Sequence, residues 1–165
     1  ADFLQYWSML IWAVVNQGPR LYDPSFDKTQ MTPFSLMMAR RFRDEIRTAP
    51  ANVVRMRGHQ RTYRSLLQGV DAVLSPTVAT VAPPIGHLAS DMEPDLLLER
   101  LLDWMPFTPL ANGTGLPAIS LPLGHDDELN LPVGMMFQAD LGADALLVEL
   151  ALQLEAAHPW RTLAP

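Results

Sequence analysis

The chain has 165 residues, of which 48% are hydrophobic and 18% charged, enough to build a core and too apolar for wholesale disorder. It has no cysteine, which excludes disulfides, thiolate catalysis and cysteine-ligated zinc and allows a reducing compartment, so the cytoplasm is the expected location. The net charge of −6 argues against nucleic acid as a partner.

That charge is uneven. Residues 1–65 carry 10 Lys+Arg against 5 Asp+Glu, whereas residues 66–165 carry 2 against 13. The Arg-rich stretch from Arg40 to Arg64 reads either as a site for an anionic partner or as a solvated helix face that pairs with the acidic half or with missing protein. The second reading is preferred, because no aromatic–basic stacking pattern accompanies the arginines.

The apolar run Phe3–Val15 lacks a basic leader, carries Gln5 and Ser8, and is shorter than the roughly 20 residues of a membrane span. It predicts a buried helix with a stripe of Phe3, Trp7, Leu10 and Val14, ended by Gly18-Pro19. No membrane association is expected. Because Ala1 lies at the head of this run, a truncated or processed chain is expected. Residues 19–33 read as an extended loop. A second helix is predicted from Pro33 to about Thr48, broken by Ala49-Pro50-Ala51-Asn52. A third follows on the spacing of Val53, Met56, Gln60, Tyr63, Leu67 and Val70, with arginines outward and Gly69 closing it.

Asp71–Ser75 reads as a short buried strand stopped by Pro76. Residues 76–94 form a Pro-rich loop. Leu97, Leu101 and Met105 mark a helix ended by Pro106. Asn112-Gly113-Thr114-Gly115 reads as turn, Ala118–Leu121 as a second strand, Asp126-Asp127-Glu128 as a polar turn and Val133–Phe137 as a third strand. Ala143, Leu146, Leu147, Leu150, Leu154 and Ala157 predict a final amphipathic helix. The pattern is α/β, mainly helical over residues 1–68 and mixed over 69–165. Three strands with open edges among long apolar helices suit a layer of something larger.

Chemistry is sparse. None of the serines lies in a Gly-x-Ser-x-Gly elbow or a Gly/Ser-rich run; Ser120 alone sits in a predicted strand beside a Gly-containing loop, and a structural role is preferred for it. Lys28, the only lysine, lies between Asp27 and Thr29 in a polar loop that favours its charged form. His59, His87, His125 and His158 have no metal-ligand spacing. Asp126-Asp127-Glu128 lacks the alternating acids of a calcium loop. Asn112–Gly115 has glycines for a phosphate cradle but no following Lys-Ser/Thr. No metal and no cofactor is called for.

Four stretches in fixed order carry a resemblance. They are Val70-Asp71-Ala72-Val73-Leu74-Ser75-Pro76-Thr77; Pro106-Phe107-Thr108-Pro109-Leu110-Ala111-Asn112-Gly113-Thr114-Gly115; Leu116-Pro117-Ala118-Ile119-Ser120-Leu121-Pro122-Leu123-Gly124; and Leu131-Pro132-Val133-Gly134-Met135-Met136-Phe137. Together they resemble the C-terminal third of the amidase-signature family, over about residues 69–160 and, more loosely, from about 31. Gly134 reads as a point of close approach inside a strand, and Asp71 as a cap at a strand start.

The resemblance implies the C-terminal part of an α/β/α layered fold, with a mixed sheet flanked by helices. It also implies amide hydrolysis by a serine nucleophile, a bridging serine in a cis peptide and a lysine base. Those groups lie upstream in the family and match no position here, so no catalytic residue is carried over. Phe107, Thr108 and Asn112, with Trp104 beside them, are the implied lining of a substrate channel. The same residues also serve as turn and core. The implied partners are an amide substrate and the N-terminal part of the same amidase; the isolated chain is expected to associate with that part or with itself as a homo-oligomer. The alternative is a non-catalytic binding or split-subunit module of the same fold.

Overall fold

The computed structural model describes residues 2–160. The chain divides into two compact units, Ala1–Gly58 with Pro83–Asp103, and His59–Ala82 with Trp104–Pro165.

The first unit is helical. It holds helix α1 (Asp2–Leu21), α2 (Pro33–Glu45), α3 (Ala49–Leu66) as far as Gly58 and α4 (Pro94–Trp104) as far as Asp103. α2 starts on a Thr32 cap, whose hydroxyl accepts from the Ser35 N–H at 3.2 Å, with Pro33 in the first turn. Its core joins Phe34 and Met38 of α2 to Leu97 and Leu98 of α4, with Trp7 and Ile11 of α1 packed against them. The Trp7 and Phe34 rings lie 5.6 Å apart in a tilted pair.

α1 departs from its predicted outline in two ways. It runs through Pro19 to Leu21, because a proline in the last turn forfeits one hydrogen bond without interrupting a long ladder. Gly18 is a packing residue and not a stop: a Cβ there would lie 2.6 Å from the Phe26 ring. The most buried positions are Gln5, Ser8, Val15 and Gly18, not the predicted apolar stripe, and Leu10 is exposed. The Ser8 hydroxyl donates to the Gln5 carbonyl at 2.8 Å, so this small side chain is satisfied inside its own helix. The Gln5 amide donates to the Thr48 hydroxyl at 2.6 Å.

The predicted break at residues 49–52 is also displaced. A 3-10 turn at Ile46–Thr48 ends α2, and Ala49 and Pro50 open α3, where a proline costs no internal bond. Met56 and Leu67 of the expected stripe are buried and Gln60 and Tyr63 half-buried, whereas Val53 and Val70 at its two ends are exposed and Asn52 is buried in place of Val53. Arg55, Arg57, Arg61 and Arg64 are exposed as expected.

The second unit holds the sheet. Strand β1 covers Val73–Pro76, β2 Ala118–Asp126 and β3 Leu131–Gln138, in the order β1-β3-β2 with both pairs antiparallel. The expected mixed sheet has no parallel pair among the described residues. β2 outruns its predicted end at Leu121. Pro122 and Leu123 stand opposite Gly134 alone in a bulge, which absorbs a residue that cannot donate to a ladder. Helix α5 spans Thr108–Thr114, replacing the turn predicted over residues 112–115; Gly115, at φ 70°, is its left-handed cap, and its N–H bonds the Ala111 carbonyl at 2.8 Å.

α6 spans Asp144–Ala157 and buries Leu147. Its Leu146, Val148 and Leu152 are exposed, so the helix is apolar on more than one side. Arg64 and Asp140 form an ion pair, with Arg64 Nε 2.5 Å from Asp140 Oδ1. No helix among the described residues is long and apolar enough to cross a membrane.

Candidate functional site

The four residues singled out for a substrate channel fall in one stretch of the second unit. Trp104 ends α4, half-buried; its carbonyl accepts the Ala79 N–H at 2.8 Å, and its indole Nε1 is buried without a partner. Phe107 and Thr108 open α5, both half-buried, and Asn112 is exposed one turn after Thr108, so Thr108 and Asn112 share a helix face. Within this stretch an indole N–H, a threonine hydroxyl and a carboxamide stand near an aromatic ring in sequence. None of these groups forms a nucleophile–base pair.

A second polar feature lies on the sheet, and sequence reasoning missed it. Cross-strand register sets Ser75, Met136 and Ser120 in one row, and alternation places Thr77 and Gly134 on the same face. The Thr77 N–H bonds the Gly134 carbonyl at 3.0 Å, extending the pairing one residue beyond β1. Above that bond the Thr77 and Ser120 hydroxyls meet at 2.6 Å. They come from outer strands and reach each other because the central strand carries a glycine between them. A Cβ on Gly134 would stand 2.9 Å from Thr77 Oγ1 and 3.1 Å from Ser120 Oγ. The expected close approach at Gly134 is therefore made by two side-chain hydroxyls. Ser120 is exposed and Thr77 half-buried. The signal for the pair was a glycine flanked in space by hydroxyl-bearing strands, legible only once the strand order is known.

The remaining polar residues have plain roles. Lys28 Nζ reaches Asn16 Oδ1 at 3.5 Å on the surface. His125 Nε2 lies 3.2 Å from Asn130 Oδ1 at the β2–β3 turn, and the Asp126 carboxylate in that turn accepts the Leu129 N–H at 2.9 Å. Asp71 is exposed, two residues ahead of β1. The glycine-containing segment read as a weak phosphate cradle lies within α5 and its cap. No cluster of three or more His, Cys, Asp or Glu among the described residues could hold a metal ion. A cleft in the first unit, lined by Gln5, Met9, Phe42, Asn52 and Met56 among others, holds no carboxylate, imidazole or amine.

A sequence model of the amidase family matches residues 23–148, beginning earlier than the four motifs do. The chain is 41% identical over 159 residues to the putative amidase AmiC of Mycobacterium tuberculosis, covering 96% of this chain and 33% of that protein. It is 37% identical over 103 residues to the 6-aminohexanoate-cyclic-dimer hydrolase of a Pseudomonas species, covering 59% of this chain and 21% of the other. Among solved structures it resembles 6-aminohexanoate cyclic dimer hydrolase, with a TM-score of 0.74 at 27% identity over 97% of this chain and 35% of that one. A bacterial aryl acylamidase shares the fold at a TM-score of 0.67 and 20% identity, over 96% of this chain and 33% of that one. The chain thus spans about a third of the length of the curated relatives it matches over 96% of its own length.

Proposed function

The chain belongs to the amidase signature family, and from that premise we propose that it is the C-terminal portion of a hydrolase that cleaves a carboxamide C–N bond. In this reading the serine nucleophile and lysine base come from polypeptide outside the sequence. The observation that carries it is the combination of family motifs in order with a span of one third of the matching relatives. The serines and the single lysine support it from the other side, since Lys28 lies in a surface 3-10 turn with Asn16 as its partner and Ser75 and Ser120 have only backbone or hydroxyl partners.

The three antiparallel strands then form part of a larger, mixed sheet layered between helices, and α6 and the open strand edges meet the remainder of the enzyme. Trp104, Phe107, Thr108 and Asn112 line the channel toward the scissile amide. The compartment that suits a cysteine-free chain of this kind is the cytoplasm.

The test is a serine-directed fluorophosphonate probe. The chain alone remains unlabelled and does not hydrolyse simple carboxamides. Grafted in place of the corresponding third of the M. tuberculosis relative, it yields a protein labelled at a serine outside the graft. Label on Ser75 or Ser120, or turnover by the chain alone, overturns the assignment.

A further inference from the structure

The hydroxyl pair over Gly134 has no role in holding the ladder, which is made by backbone groups. It sits on the sheet face, with Ser120 exposed. Its hydrogen-bonding capacity is only partly used. Each hydroxyl has one proton and two lone pairs. The mutual 2.6 Å bond takes one proton and one lone pair, leaving one O–H and three lone pairs unused by it. Ser75, the next hydroxyl along the face, already donates to the Pro76 carbonyl at 3.1 Å, so its proton is not free to displace this pair. The two oxygens fill the space that a side chain on Gly134 would take, so the pair lies close over the backbone of the central strand.

A group that fits this arrangement must both donate and accept within one small plane. A primary carboxamide does so, with N–H for the lone pairs and C=O for the free O–H. A carboxylate offers acceptors only and can engage just the one proton. It also meets the net negative charge of the second unit, whose acids outnumber its bases 8 to 3. We propose that Thr77 and Ser120, set over Gly134, form a recognition point for a carboxamide group that discriminates against the corresponding carboxylate. This rests on the amidase reading and adds to it a location and a selectivity: the site holds the amide and lets the acid go.

The probes are benzamide and benzoate, titrated into the full 165-residue chain while backbone amide resonances are followed by NMR. Benzamide shifts Thr77, Ser120 and Gly134 with an affinity about tenfold above that of benzoate, the worth of about one hydrogen bond. Thr77→Val with Ser120→Ala weakens benzamide about tenfold, and the conservative pair Thr77→Ser with Ser120→Thr restores it, which separates lost recognition from lost folding. Equal binding of the two probes overturns the proposal, as does parental affinity in the Val/Ala variant. Shifts confined to residues 104–112 also overturn it while leaving the amidase reading intact. Loss of that reading would instead come from the fluorophosphonate experiment, which does not depend on these hydroxyls.

Discussion

The hydroxyls of Thr77 and Ser120 touch although their strands are not neighbours, and the residue that lets them do so is Gly134 on the strand between. A glycine inside a strand is ordinarily a weakness, losing side-chain packing and backbone entropy. Here the space it leaves is filled by oxygen atoms from both sides.

Gly134→Ala therefore destabilises the second unit. The added methyl cannot coexist with the pair at its present separation, and overpacking of this kind costs about 1–3 kcal/mol. Urea unfolding measures it. The same substitution in a Thr77→Ala, Ser120→Ala background costs less, because the atoms it strikes first are gone; a coupling below about 0.5 kcal/mol would show that the hydroxyls and the glycine act independently.

Met38 is fully buried, at 0% exposure, between α1, α2 and α4. Its replacement by alanine removes three heavy atoms from a packed site and costs about 2–5 kcal/mol. Loss of near-ultraviolet signal from the adjacent tryptophan at a lower denaturant concentration than in the parent is the expected readout.

Gly18→Ala sets two effects against each other. Alanine is favoured over glycine in a helix interior by about 1 kcal/mol. The methyl, however, would enter the Phe26 ring, whose nearest atoms lie at 2.6 to 2.8 Å. The ring must leave, and Phe26 anchors the segment between α1 and α2. The expected outcome is no net stabilisation and faster proteolysis within residues 22–30. A variant more stable than the parent by the full helix-propensity gain would show that the ring moves freely.

The Arg64 hydrogen bond, followed by the Leu141 N–H, holds the Asp140 carboxyl below its ordinary value. A carboxylate whose pKa is lowered on folding stabilises the fold above its unfolded pKa of about 3.9, and that contribution fades as pH falls through the lower folded value. The pair is exposed and screened, so the effect is small and salt-dependent. An NMR titration of the Asp140 side chain gives a midpoint below the ordinary carboxylate range, and Arg64→Gln moves it up toward that range. An unchanged midpoint in Arg64→Gln contradicts the assignment.

Much of this architecture was legible from periodicity. β1, β3, α4 and α6 fall near their expected places because alternation, helical spacing and flanking prolines agree there. The errors share one cause, that breaker residues act by context. Pro19 sits where few hydrogen bonds remain to lose, Pro50 in a first helical turn, and Pro122 in a bulge that needs no donor. Gly115 ends a helix where Asn112–Gly115 read as a loop. Residues 104–112 could be singled out from the family motif, as the proposed lining of a substrate channel. The hydroxyl pair could not, since its members are 43 residues apart and meet only through the strand order.

α6 carries a practical lesson for handling the protein. Val148 and Leu152, at 53% and 62% exposure, sit on a helix whose Leu147 is already committed to the interior. Water tolerates such an arrangement poorly, and concentration works against it: in a tube the outward leucines of one molecule are the nearest oily surface for those of another. Swapping Val148 and Leu152 for glutamate or lysine would give a better-behaved sample without disturbing the buried side.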